Sequence, residues 1–390
     1  MHTLKSKKLL LLSLPLFLCG LGCRNQDQSG QPEPIVLGAV YNLTGSQSTL
    51  DVPSSQGAKL AIEQANAESG KNGNEWQLIL KDGQTNPDVL RAKVTEMITE
   101  YPSTAAFLGL SDTDQVLAAA GVAADSHRVF LTSGATSPKL PTQIPDYLFL
   151  ACFGDNVQAA AAAEWAYNDL EARTVSVIYN SSDTYTNLLQ GYFISRFEQL
   201  GGQILSLQPY GQGGIAQAIQ GIQPADILFF AALPQDALEG VQMIRQAGFT
   251  APIIGGDAFD EPATWQGHNE VKDVFFTTHA YLGADNPNPQ VQAFRQAYMQ
   301  AYAGEEPNAF AALGYDAAQL LIRATLDAKS PDPEDIRQAF SAIRNFEGVT
   351  GSISYGTDSP IPRKSVTIME IKDGKETLST QLVPEEVPAP

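Results

Sequence analysis

Residues 76–110 read WQLILKDGQTNPDVLRAKVTEMITEYPSTAAFLGL, and this stretch decides the fold. An apolar run at 76–80 has strand character. A helix is predicted over 87–101, opened by Pro87, whose fixed φ suits a first helical turn. Val89, Leu90, Val94, Met97 and Ile98 recur at helical spacing and give that helix an inward face. A second apolar run follows at 105–110. Strand, long helix, strand is the signature of a crossover unit, because two parallel strands need a connection that spans a sheet face.

The rhythm extends in both directions. Upstream lie a strand at 35–40 and a helix at 54–68 with Ala58, Ala61, Ile62 and Ala65 on one face. Downstream lie an Ala-rich helix at 115–125 and a strand at 129–132. The pattern then starts again, with strands at 174–179, 204–207, 227–233, 252–255 and 274–277. Helices at 155–170, 186–200, 215–222 and 236–247 alternate with them. Two rounds of such alternation predict an α/β protein of two similar lobes, each a doubly wound parallel sheet with helices on both faces. Ligands of open α/β sheets bind beyond the carboxyl ends of the strands. The loops that matter are therefore 41–53, 111–114, 133–140, 180–186, 233–236 and 256–260, all rich in Gly, Ser, Thr, Asp and Tyr.

Composition agrees with two ordinary domains. The chain has 390 residues, 43 % of them hydrophobic, which excludes intrinsic disorder. It carries 24 Lys and Arg against 43 Asp and Glu, a net charge of −19 that disfavours nucleic acid as a partner. The N-terminus reads as an address. Lys5, Lys7 and Lys8 precede an apolar run at 9–18, and Gly20-Leu21-Gly22-Cys23 follows. This resembles a secretory signal peptide ending in a lipobox, with Gly20 where that pattern usually has a large apolar residue. The run is too short to span a bilayer. An ordinary signal peptide with an incidental cysteine is the alternative; the place of Cys23 at the apolar-to-polar switch favours lipidation. The expected division is a signal peptide at 1–22, a lipidated tether at 23–34 and a Pro-rich tail at 385–390. Loss of 1–22 removes three lysines and no acid, taking the charge from −19 to −22. Cys19 leaves with the leader and Cys23 carries lipid. Only Cys152 remains, inside the apolar run 147–153, so it is expected to be a buried small hydrophobe with no intramolecular disulfide.

Catalytic and metal motifs are absent from the sequence. His2, His127, His268 and His279 form no pair with metal-ligand spacing, and isolated histidines are usually structural or surface residues. There is no G-x-S-x-G, P-loop or H-E-x-x-H pattern. Residues 211–216 match G-x-G-x-x-A loosely but lack the acid that ribose binding needs, and read as a surface turn entering a helix. No catalytic residue, metal ligand or cofactor is expected.

Three segments in order carry a resemblance. Gly38-Ala39-Val40-Tyr41-Asn42-Leu43-Thr44-Gly45 precedes Gly57-Ala58-Lys59-Leu60-Ala61-Ile62. Leu108-Gly109-Leu110-Ser111-Asp112-Thr113 precedes the most specific stretch, Val129-Phe130-Leu131-Thr132-Ser133-Gly134-Ala135-Thr136-Ser137-Pro138. The order of lobes and strands then continues to Gly351-Ser352-Ile353. Together, over roughly residues 35–380, these resemble the branched-chain and neutral amino-acid binding proteins of bacterial ABC transporters, with the type I periplasmic binding fold (a Venus flytrap). The extracellular ligand domains of class C receptors are similar.

The resemblance implies a site. Thr113 and Thr136 would grip a ligand α-carboxylate with their hydroxyls and nearby N–H groups, in the Gly134-Ala135-Thr136 loop and its neighbour. The Gly134 carbonyl would accept from the α-ammonium, Asp257 would pair with it, and Asp155 aligns with an ammonium-binding acid of the class C receptors. Tyr185 would cover the ligand, and Leu50 and Leu233 would touch its side chain. Each has a plain structural alternative: Thr113 and Thr136 as helix N-caps, Asp155 as the N-cap of a helix at 156–170, Tyr185 as an exposed loop aromatic. Departures also stand out. The disulfide that many relatives have near the first-lobe site cannot form, and Leu233 sits where relatives often have an aromatic or a small polar residue. Asp112 and Asp114 flank Thr113 where relatives often have Ser. If they point to water or cap the helix at Gln115 they are neutral to the site; if one faces the cleft, a basic ligand side chain is favoured.

The expected function is that of a lipid-anchored, extracytoplasmic substrate-binding component of an ABC importer. It would have no catalysis of its own, bind an amino acid, neutral or branched-chain foremost, and dock as a monomer on a membrane permease. Alternatives on the same fold are a sensor, a binder of an amide, urea or aromatic acid, and a secreted hydrolase. Lobe one is expected at 35–153 plus 281–349, and lobe two at 154–280 plus 350–384, joined by three hinge crossings.

Overall fold

The computed structural model describes residues 33–69, 75–211, 214–356 and 359–390. The leader, Cys23 and nearly all of the tether lie outside the described residues, as do positions 212 and 213 of the 211–216 stretch. The first lobe opens with β1 (Ile35–Tyr41), α1 (Ser48–Ser69), β2 (Trp76–Asp82), α2 (Pro87–Glu100) and β3 (Ala106–Gly109). It continues with α3 (Thr113–Asp125), β4 (Phe130–Thr132), a short α4 (Leu140–Gln143) and β5 (Leu148–Leu150). All pairings are parallel, in the order β2-β1-β3-β4-β5. Both faces are covered. Leu37 and Ala39 of β1, Leu108 of β3 and Leu131 of β4 face one core, whereas Val40, Phe107 and Phe130 face another. A sheet buried on both faces needs near-continuous apolar strands, which is why the runs were legible.

The second lobe repeats the plan. α5 (Asp155–Asn168) leads into β6 (Thr174–Asn180), α6 (Thr184–Gln199), β7 (Gln203–Tyr210), α7 (Ile215–Ile219) and β8 (Ile227–Ala231). α8 (Pro234–Gln246), β9 (Ile253–Gly255), α9 (Pro262–Trp265) and β10 (Val274–Thr278) follow. The parallel order β7-β6-β8-β9-β10 is the first lobe's order again.

The chain then returns. α10 (Pro289–Ala301), α11 (Ala309–Asp327) and α12 (Pro333–Ser341) complete the first lobe, with β11 (Phe346–Gly348), β12 (Gly351–Gly356) and β13 (Ser359–Arg363) as a small separate sheet. β14 (Val366–Lys372) and β15 (Lys375–Leu382) finally join the second sheet beyond β10. Both are antiparallel additions, so that sheet is mixed. The tightest helix contact is α1 on α11. A Cβ on Gly57 would meet the Ala311 carbonyl oxygen at 1.9 Å, and one on Gly314 would meet the Ser54 carbonyl oxygen at 1.8 Å.

Four expectations are corrected. The last return to lobe two does not occur at residue 350: Ile353 and Tyr355 pack in the first-lobe core, and the Tyr355 hydroxyl donates to the Leu150 carbonyl at 2.9 Å. The crossing falls between β13 and β14 instead. The 41–53 segment is not all loop, because α1 begins at Ser48 and carries Pro53 inside it. A proline there leaves the Thr49 carbonyl without its helical donor, at an exposed position where the carbonyl need not be satisfied by protein. The 227–233 strand ends at Ala231, which hands Leu233 to the start of α8. The tail is docked: the Glu385 and Glu386 amides donate to the Glu164 carboxylate, and Asn156 Nδ2 donates to the Pro388 carbonyl. Glu164 is itself in a buried ion pair with Arg196 at 2.7 Å, so the tail supplies donors that this carboxylate would otherwise lack. Cys152 is buried and free, as expected, and burial pushes its thiol well up.

Candidate functional site

Each lobe's strand order reverses direction at one point, between β1 and β3 in the first and between β6 and β8 in the second. The loops at those carboxyl ends face each other. Backbone shape aims them. Gly109 (φ +140) and Leu110 (φ +62) turn the chain after β3, where a Cβ on residue 109 would strike the Val40 carbonyl at 1.8 Å. The Leu110 carbonyl then accepts from the Thr132 hydroxyl at 2.8 Å and the Gly134 amide at 3.2 Å, tying the 110–113 and 133–136 loops together.

Between the lobes lies a small, partly open cavity with about 20 Å³ of free volume. From the first lobe it is lined by Leu50, Thr113, Gly134 and Thr136; from the second, by Tyr185, Leu233 and Asp257. Seven of the nine residues that the resemblance singled out therefore meet in one place. Thr113 is the first residue of α3, capped by Asp112 and not by its own hydroxyl. Leu50 sits in the first turns of α1 and Leu233 at the start of α8.

Two residues do not reach the cavity. Ala135 donates its amide to Thr132 Oγ1 at 3.1 Å and buries its methyl in the first-lobe core. Asp155 is fully buried behind the wall, as the first residue of α5 after Gly154. It reaches Asp257 through a third side chain, Gln158, whose Nε2 donates to Asp155 Oδ1 at 3.0 Å and Asp257 Oδ1 at 2.8 Å. Burial, reinforced by the nearby Asp257, raises the Asp155 carboxyl well above its ordinary value, and the Thr136 hydroxyl opposes that shift.

Asp257 is the most heavily positioned group of the site. It opens a 3-10 turn at Asp257–Phe259, directly after β9. The Tyr185 hydroxyl donates to its Oδ1 at 2.8 Å, through space kept free by the missing side chain of Gly256. His279 Nε2 lies 3.0 Å from Oδ2, and its ring stacks on Phe153 at a centroid distance of 3.9 Å. Burial lowers the His279 pKa despite the carboxylate, which favours a neutral ring donating from Nε2. An ionised carboxylate offers about four lone-pair directions. Gln158, Tyr185 and His279 use three of them, leaving one on Oδ2.

Sequence reading missed Gln158, His279 and Gln47. Gln158 follows Asp155 by three residues, so the two share a helix face, a signal that was present. His279 lies where β10 gives way to the second crossing, and nothing in spacing marks it. Asp112 does face the cavity as well as capping α3, its Oδ1 accepting from the Gln115 amide at 2.9 Å. Among the described residues no cluster of His, Cys, Asp and Glu is arranged to hold a metal, and no helix is long and apolar enough to cross a membrane.

Known proteins resemble this chain over most of its length. An amino acid binding protein of Pseudomonas aeruginosa is 26 % identical over 309 residues, 77 % of this chain and 80 % of that protein. Leu/Ile/Val-binding protein homolog 1 of Brucella abortus is 22 % identical over 328 residues, 82 % of this chain and 86 % of that protein. Among solved structures, the leucine binding protein LivK of Thermotoga maritima superposes with a TM-score of 0.80 at 27 % identity, covering 90 % of this chain and 99 % of that one. The branched-chain amino acid transporter substrate binding protein LivJ of Streptococcus pneumoniae, solved with isoleucine, gives 0.81 at 24 % identity over 90 % and 100 %. The family model described as periplasmic binding protein matches residues 34–376, nearly all of the two-lobed body, and the chain belongs to that family.

Proposed function

We propose that this protein is the substrate-binding component of an ABC importer and captures an amino acid in the interlobe cavity. The observation that carries the reading is the division of labour across the cleft. Two neutral hydroxyl residues, Thr113 and Thr136, line it from one lobe, and a carboxylate with one open acceptor direction, Asp257, lines it from the other. That is the complement of a zwitterion. Relatives named for amino acids, and for Leu, Ile and Val in particular, support the same class. The first lobe would take the carboxylate, and hinge closure would then bring Asp257 and Tyr185 onto the ammonium and shed water. The site would release its ligand unchanged, to a permease in the membrane. Membership of a periplasmic binding family supports an extracytoplasmic place, and the Cys23 pattern supports a lipid anchor there. The protein would act as a monomer, with lobe two running 154–280 plus the β14–β15 return.

The test is a calorimetric and thermal-shift screen of amino acids and amides on residues 24–390, since a ligand bound only by the folded state raises the melting temperature. Thr136→Ala should weaken the best amino acid by roughly 1–2 kcal/mol, the worth of a lost hydrogen bond to a charged group. Wild-type affinity in Thr136→Ala, or binding confined to compounds without an α-carboxylate, would overturn the reading.

A further inference from the structure

The cavity lining holds a second acid, Asp112, that a neutral amino acid leaves unanswered. Asp112 and Asp257 are the charged residues among its lining, and neither Lys nor Arg lines it. A zwitterion offers one cation, which Asp257 takes, and one carboxylate, which the threonines take. Asp112 then has no counter-charge.

Its surroundings deepen the imbalance. Burial, reinforced by Asp183, the N-cap of α6 in the opposite lobe, and by Asp114, pushes the Asp112 carboxyl up to about 7. Gln47 stands beside it. The Gln47 side-chain amide donates from Nε2 to Asp112 Oδ2 at 2.8 Å. That bond fixes which way the amide faces, so Oε1 presents an acceptor. Gln47 is only 6 % exposed and lines the cavity, and its Oε1 has no hydrogen-bond partner among the described residues. A buried acceptor without a donor is costly unless something supplies one. The carboxylate and the orphaned amide oxygen are both acceptors, so what they lack is a group made of donors. The same cavity is also lined by the apolar side chains of Leu50, Leu233 and Phe310. An aliphatic stem ending in a cation matches both features, as long basic side chains do when the stem lies on apolar surface and the head reaches polar groups.

We propose that the side-chain end of this cleft binds a cation, so that the amino acid taken up carries an ammonium or guanidinium group at the end of an aliphatic chain. This rests on the zwitterion reading above and names its side-chain class. It departs from the branched-chain ligands for which the relatives are named.

The experiment is calorimetry at pH 8 on the mature chain with arginine, lysine, citrulline, norleucine and leucine, repeated on Asp112→Asn. Citrulline matches arginine in shape without its charge, and norleucine lacks only the terminal ammonium of lysine. The expected result is arginine or lysine binding at least tenfold tighter than its neutral counterpart, with that ratio falling below threefold in Asp112→Asn. Asparagine keeps an oxygen to cap α3, and the wild-type panel alone decides the matter if the variant does not fold. Neutral members binding as tightly as the basic ones would overturn the cation proposal and leave the amino-acid reading standing. Failure of all five, basic and neutral alike, would overturn both.

Discussion

Asp257→Asn separates a structural carboxylate from a ligand-binding one. The structure gives Asp257 three internal donors, Gln158 Nε2, Tyr185 OH and His279 Nε2. Asparagine retains one carbonyl oxygen, enough for Gln158 and Tyr185 on the Oδ1 side. On the Oδ2 side the new NH2 faces His279 Nε2, and the ring answers by moving its proton to Nδ1, which has no hydrogen-bond partner among the described residues. The scaffold contacts can therefore re-form, and the fold should survive with a melting temperature close to the parent's. The open Oδ2 direction cannot be recovered, because an amide nitrogen there donates where an ammonium also donates. A hydrogen bond to a charged group is worth about 1.5–3 kcal/mol. At about 1.4 kcal/mol per decade, affinity should fall by between roughly tenfold and about 140-fold. Calorimetry with the best amino acid reads this directly, and a scan of the free protein reports on the scaffold. An affinity within twofold of wild type, in a variant that folds normally, would mean that the ammonium is held elsewhere.

Gly57→Ala should destabilise the first lobe, since its Cβ would lie 1.9 Å from the Ala311 carbonyl oxygen and force α1 away from α11. A cost of about 1–3 kcal/mol is typical of overpacking, and a melting temperature unchanged within a degree would contradict it. Asp51 gives a pH test. Burial holds its carboxyl up to about 7 while Oδ2 accepts from the Asn42 amide at 2.8 Å. Its folded pKa lies above the unfolded value, so the folded state retains a proton that the unfolded state loses. That contribution is complete below the usual carboxylate range and is lost as pH rises toward 7. Urea midpoints from pH 4 to 8 should decline more steeply in wild type than in Asp51→Asn, and parallel profiles would count against the assignment.

What the sequence made legible was set by periodicity. Strands buried on both faces are written as apolar runs, and β1, β3, β4 and β8 appeared within a residue or two of their observed bounds. The helix faces of α1 and α2 were equally plain. Residues beyond 281 were harder. β12 alternates Ser352, Ile353, Ser354 and Tyr355, which fits a strand of either lobe, and only tertiary contact of Tyr355 with Leu150 decides between them. The site divided in the same way. Residues on strand-end loops could be placed because topology puts those loops together. Asp155 could not be told from a ligand contact, since the carboxylate next to it in space, Asp257, is joined to it through Gln158 and lies far away in the chain.

The hinge links these features physically. The first and third crossings are tied by Lys364, which donates to the Ala151 carbonyl at 3.2 Å and to the Thr350 hydroxyl. Thr350 donates in turn to Asp316, whose carboxylate also holds the Val349 and Thr350 amides at 2.8 Å. Burial lowers the Lys364 pKa to about 8, with Asp316 opposing the shift. These groups lie at the pivot, so the bonds can persist while the lobes rotate. The second crossing behaves differently. His279 lies on it and holds Asp257, the residue assigned to the ammonium, while its ring stacks on Phe153 at the first crossing. A change at Asp257 on binding, as proposed above, would therefore be passed by His279 to two of the three crossings. Under the proposed assignment of Asp257, the ligand's cation would act on the hinge through one buried histidine.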